Sequence, residues 1–117
     1  MEATNVYLNF DGNAREAMTF YGKCFGTNPG MTPFSAGPPD VQEAAKAAPD
    51  RLLHSELHSG PFVLMASDTL PGMTYRQGNN FSISLSCESL EEMERMFAAL
   101  GENGRVIMPM HDAFWGG

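Results

Sequence analysis

Cysteine is scarce in this chain. Cys24 and Cys87 are the two among 117 residues, too few and too far apart for a disulfide framework or a zinc cluster, so both are expected as reduced core thiols. Basic residues are scarce as well: seven Lys and Arg face fourteen Asp and Glu, for a net charge of -7. A nucleic-acid partner requires a basic face, and the acidic balance argues against one. No apolar run approaches the roughly 20 residues of a membrane span, so no membrane partner is expected. The opening "MEATNVYLNF" lacks a basic stretch ahead of a long apolar one, which a secretory leader would carry, and a cytoplasmic location is the expectation. Also missing are a nucleophilic triad pattern, a phosphate-cradling glycine loop and the dinucleotide pattern GxGxxG. What remains is an ordinary globular composition, 43% hydrophobic, in a length suited to one domain with a genuine core.

The organisation lies in a repeat. In "NVYLNFDGNAREAMTFYGKCFG", residues 5 to 26, Val6, Leu8 and Phe10 alternate with Asn5, Tyr7 and Asn9, the period of a strand with one apolar face. Asp11 and Gly12 turn the chain. Asn13 stands where an N-cap belongs, with Glu16 three residues on as its capping-box partner. Ala17, Met18, Tyr21 and Phe25 follow helical spacing, and Gly26 stops the helix. In "NFSISLSCESLEEMERMFAALG", residues 80 to 101, Phe81, Ile83, Leu85 and Cys87 alternate with serines. Ser89 is the N-cap with Glu92 as partner, Leu90, Met93, Phe97 and Leu100 form the apolar stripe, and Gly101 ends it. Asn13 and Ser89 stand 76 positions apart, Gly26 and Gly101 stand 75 apart. One strand–cap–helix–glycine unit is therefore written twice.

The segment after each helix should repeat too. After the first, a short strand is expected around Met31 to Ser35, a helical excursion at 41 to 48, and two strands in "RLLHSELHSGPFVLMASD" joined at Ser59-Gly60. Module one thus spans residues 1–68, with a linker at 69–79. Module two, residues 80–117, repeats strand and helix and offers "GRVIMPM" as its third element. A full second copy would need about 25 more residues holding two strands, so "HDAFWGG" reads as an interruption rather than an end, and module two lacks its last two strands. The fold expected is α+β, built of two βαβββ modules.

The stretches "YLNFDGNAREAMTFYGKCFG", "LLHSELHSGPFVLMASDTLPG", "GNNFSISLSCES" and "MPMHDAFWGG" resemble the vicinal oxygen chelate superfamily (glyoxalase, bleomycin-resistance protein, extradiol dioxygenase), and within it the PhnB-like group, also labelled demethylubiquinone methyltransferase-like. The resemblance spans the chain apart from the loop at 27 to 50. It implies metal ligands on the first and last strands of each module, which fall at Asn5, near Met65, at Ser82, and beyond residue 117. Amide, thioether and hydroxyl are poor substitutes for the His and Glu that hold Zn²⁺, Ni²⁺ or Fe²⁺, so no metal and no cofactor is expected. The methyltransferase label finds no support in the residues, because a single small module offers no fold for a methyl-donor cofactor.

Among polar residues, "HSELH" stands out. His54, Glu56 and His58 share one face of a strand, spaced by about 6.6 Å, and His54 with Glu56 is the best acid–base pair in the chain. The bland alternative is a solvated polar face opposite Leu53, Ser55 and Leu57. Ligand-binding candidates are Asn5, Tyr7 and Asn9 on the first strand, Ser82 and Ser84 on the second module's strand, and His111, Phe114 and Trp115 in the final turn, where aromatic walls suit a flat or oily molecule. Met31, Met65, Met73, Met108 and Met110 serve either as adaptable lining or as core filler.

Three readings follow. The first is a small-molecule binding or sequestering protein working without metal on a small hydrophobic or aromatic ligand. The second is a metal-dependent lyase, isomerase or dioxygenase of the glyoxalase type at His54 and Glu56. The third is a dimerisation domain with no functional cavity. Relatives of this kind often dimerise and open sheet edges demand cover, so a homodimer is expected.

Overall fold

A computed structural model describes residues 1–110 of the chain. The fold is α+β and divides into two compact units, Met1–Phe81 and a second from Ser82 onward.

The first unit is one complete βαβββ module. Strand β1 (Val6–Phe10) leads through Gly12, whose φ of 102° suits only a residue without Cβ, into helix α1 (Ala14–Phe25). Strand β2 (Gly30–Pro33) follows, then a 3₁₀ turn at Phe34–Ala36, the short helix α2 (Pro39–Ala44), and strands β3 (Leu52–Ser59) and β4 (Phe62–Asp68). The sheet order is β1-β4-β3-β2, with β1 parallel to β4 and the other neighbours antiparallel.

Period-two alternation decides which face is buried. Met18 of α1 packs with Leu57, Leu64 and Ala66, and Val6, Leu8, Phe10, Tyr21, Phe25, Met31 and Phe62 close around them. Leu57 and Leu64 are each worth about 1.5–3 kcal/mol in burial. The buried Ser55 hydroxyl, on the same face, donates to the Gly30 carbonyl at 2.8 Å and ties β2 to β3.

The end of α1 is as the sequence indicates. Gly26 adopts φ 69°, its N–H donates to Lys23 O, and the Thr27 N–H donates to Gly22 O at 2.9 Å, the two hydrogen bonds of a Schellman stop. The start is different. Asn13 makes no side-chain cap bond. The orphan donors are met by Asp68, from the far end of β4: Oδ1 accepts from Gly12 N–H (2.8 Å) and Ala14 N–H (3.0 Å), Oδ2 from Leu52 N–H (2.8 Å). A carboxylate can take all three donors and oppose the positive helix end; the short Asn13 amide can do neither job as well.

The second unit holds helix α3 (Leu90–Gly101). Ser89 Oγ accepts from Glu92 N–H at 3.1 Å as expected, while the Glu92 carboxylate accepts from Glu88 N–H rather than closing a capping box on Ser89. Two expectations are corrected. Gly101 lies inside the helix, and the left-handed residue beyond it is Asn103, with φ 61°. Residues 81–87 and 104–110 form no strand ladder among the described residues. Alternation belongs to the side chains, but a strand exists only where a second backbone completes its hydrogen bonds. Of the two cysteines, Cys24 is buried and Cys87 partly so. No helix among the described residues is long and apolar enough to cross a membrane.

Candidate functional site

The sheet face turned away from α1 carries Tyr7 and Asn9 of β1, His54, Glu56 and His58 of β3, and Met65 of β4. Register sets them in place: Tyr7 and Glu56 both pair with Met65, one from each side, and Asn9 pairs with Ser67. Because β4 lies between β1 and β3, long side chains of the outer two strands meet above it. The Tyr7 hydroxyl lies 3.3 Å from His54 Nδ1, with ring centroids 5.9 Å apart and tilted at 43°. His54 Nε2 lies 3.2 Å from Glu56 Oε1, and His58 Nε2 lies 2.6 Å from Glu56 Oε2.

The chemistry of one residue assigns protons to the others. An ionised carboxylate only accepts, so both imidazoles donate to Glu56 through Nε2–H. In the neutral rings Nδ1 is then an acceptor, and the Tyr7 O–H donates to that of His54. The proton positions follow from this bonding pattern. The hydrogen bond from His58, then that from His54, holds the Glu56 carboxyl below the usual glutamate range, against a smaller upward push from desolvation. The side chains stay 36% to 60% exposed, so these contacts contribute little to stability. Their effect is orientation: Glu56 holds His54 with its basic nitrogen toward Tyr7, as a carboxylate orients an imidazole in a hydrolytic triad.

Asn5 lies just ahead of β1 and is exposed. Tyr7, Asn9, His54 and Glu56 are therefore brought to one face, and Asn5 stands beside it. Ser82 and Ser84 are exposed residues of the second unit. His111, Phe114 and Trp115 lie outside the described residues.

Among the described residues no three His, Cys, Asp or Glu side chains form a group able to hold a metal ion. His54 and His58 both spend Nε2 on Glu56 rather than turning it to a common centre. Open hollows among the described residues lie elsewhere, such as one of about 480 Å³ beside Thr19, Lys23 and Asn28 and another of about 490 Å³ between Arg15, Glu16 and the segment 47–51. Neither gathers hydrogen-bonded titratable groups as the sheet face does.

Sequence reasoning placed His58 on this face but left it out of the candidate site, although its spacing of two from Glu56 was the available signal. Tyr75 was missed altogether; its hydroxyl donates to the Asn9 carbonyl at 3.0 Å, covering part of the β1 edge. No local pattern announces a contact 66 positions apart.

The family profile described as 3-demethylubiquinone-9 3-methyltransferase matches residues 2–115. Protein YjdN of Escherichia coli (strain K12) is 27% identical over 118 aligned positions, which span 93% of this chain and 79% of that protein. The crystal structure of protein PA1353 from Pseudomonas aeruginosa superposes with a TM-score of 0.80 at 38% identity, covering 97% of this chain and 84% of the other. The PhnB protein from Bacillus cereus superposes with a TM-score of 0.71 at 20% identity over the same shares, a likeness of fold alone.

Proposed function

The chain belongs to the 3-demethylubiquinone-9 3-methyltransferase family, a PhnB-like group, and from that premise we propose that it binds or sequesters a small hydrophobic or aromatic molecule. The scaffold is of the vicinal oxygen chelate type, and the βαβββ order of the first unit supports that assignment. The observation that carries the reading is the linked array Tyr7–His54–Glu56–His58 on one partly exposed sheet face of the first unit. Ring faces of Tyr7 and His54 and the Met65 thioether supply apolar contact, and the array supplies a few oriented polar atoms, the composition of a small-molecule site.

No step runs through a metal. Asn5 and Met65 stand where the scaffold would place ligands, and neither has the donor chemistry of a stable divalent site. In this reading the molecule works as a homodimer: among the described residues β1 and β2 are the edge strands of the first unit's sheet, and edges require cover. Light scattering that reports a monomer at micromolar concentration overturns that part.

A thermal-shift screen of flat aromatic and oily compounds tests the binding reading. Ligand at a hundredfold excess over Kd stabilises by about 2.7 kcal/mol, a shift readily seen. Tyr7→Ala and His54→Ala are expected to abolish the shift. A screen with no stabiliser, or one whose stabiliser ignores both substitutions, refutes the proposal.

A further inference from the structure

We infer that His54 Nδ1 receives the weakly acidic hydroxyl of a ligand and holds it as its oxyanion. The inference deepens the binding site proposed above and rests on that reading.

The array already contains the interaction it would offer. His54 Nδ1 faces a phenol, the Tyr7 hydroxyl, at 3.3 Å, a long contact for an O–H donor. A ligand hydroxyl that takes this place meets a nitrogen whose opposite side is fixed on Glu56. Charge narrows the class. With both imidazoles neutral the array carries the single negative charge of Glu56, in a chain of net charge -7, so a ligand arriving as a carboxylate or phosphate is repelled. A cation would be drawn to Glu56, but each carboxylate oxygen already accepts from an imidazole. A neutral molecule with an O–H to give avoids both penalties.

The proton then has a place to go. The ligand O–H bond breaks with its electron pair left on oxygen, and an N–H bond forms at His54 Nδ1. The imidazolium lies between two anions, Glu56 and the new oxyanion, each stabilising it. Tyr7, released from Nδ1, turns its hydroxyl to the oxyanion and becomes a second donor. Net charge is unchanged and no further reactant is needed. Among the described residues, Thr32 of β2, the cross-strand partner of His54, does not titrate, nor does Met65 of β4, which pairs with Tyr7 and Glu56. His58 supports Glu56 from the far side at 2.6 Å.

The test uses the full chain and two probes of nearly one shape, 4-nitrophenol and 4-nitroanisole, below the pH at which free 4-nitrophenol ionises. The phenol should bind at least about tenfold more tightly, equivalent to about 1.4 kcal/mol, and its bound spectrum should show the yellow phenolate band. Glu56→Gln, checked for native circular dichroism, should lose that band. Equal binding of the two probes with no phenolate band overturns the inference and leaves the binding site standing. Failure of both probes to bind overturns the inference together with its footing.

Discussion

Replacing Asp68 should damage this protein more than any residue at its surface pairing sites. Its carboxylate accepts from the N–H groups of Gly12, Ala14 and Leu52 at 2.8–3.0 Å, and Ala14 and Leu52 are fully buried. In Asp68→Ala the Gly12 N–H recovers water, but two donors are left unsatisfied in the interior at about 1–3 kcal/mol each. Loss of the negative charge at the start of α1 adds about 0.3–1 kcal/mol. The expected loss is thus about 2–7 kcal/mol, a large part of the roughly 5–15 kcal/mol that holds a domain together. Asp68→Asn keeps one oxygen for Gly12 and Ala14 but turns an NH₂ toward the Leu52 N–H, and should lose about 2–3 kcal/mol. Thermal unfolding by circular dichroism reads either directly, because each kcal/mol moves Tm by about 4–8 °C in a domain of this size. The control is Asn13→Ala. A working N-cap would cost about 1 kcal/mol to remove; without a side-chain bond at Asn13, the change should stay within about 0.5 kcal/mol. An Asp68→Asn protein that melts with the wild type, or an Asn13→Ala protein that loses more than Asp68→Asn, refutes the reasoning.

Three further outcomes are expected. Gly22→Ala places a Cβ 2.7 Å from the Thr27 carbonyl oxygen and 2.8 Å from Pro29 Cδ; the backbone must shift, and urea unfolding should show a loss of about 1–3 kcal/mol. Ser89→Ala removes the one observed side-chain cap of α3 and should cost about 1 kcal/mol, seen as faster amide exchange in the first turn of that helix. Glu56, whose carboxyl is held low in the folded chain, should titrate by NMR below the ordinary glutamate value of about 4.3. Because its folded pKa lies below the unfolded one, its contribution to stability is present above that value and is lost as pH falls through the folded pKa; a midpoint at or above the ordinary value contradicts the two hydrogen bonds.

Local pattern carried the first module far. Alternation at Val6, Leu8 and Phe10 and the stop at Gly26 are properties of adjacent residues, set by the two-residue period of a strand and the left-handed freedom of glycine, and β1 and α1 appear where those patterns lie. The shared face of His54, Glu56 and His58 was legible for the same reason. The cap of α1 was not. Asn13 has the right type in the right place, yet the Asp68 carboxylate, 54 positions beyond Ala14, accepts from the same helix end with full charge, and long-range geometry overrides the local candidate. The serine-spaced apolar run at 81–87 has the side chains of a strand, but pairing needs a neighbouring backbone, none pairs with it among the described residues, and no residue type encodes one.

The sequence by itself determined the order of elements in the first unit, the apolar face of each, and the set of polar residues left on the other face, because these depend on periodicities of a few residues. Only the tertiary structure decided that Asp68 closes α1, that Tyr7 reaches His54 across β4, and that Glu56 holds both histidines in one tautomer. Those contacts depend on which strands lie side by side and in what register, and that is settled by the packing of the whole sheet against α1 rather than by any neighbour along the chain.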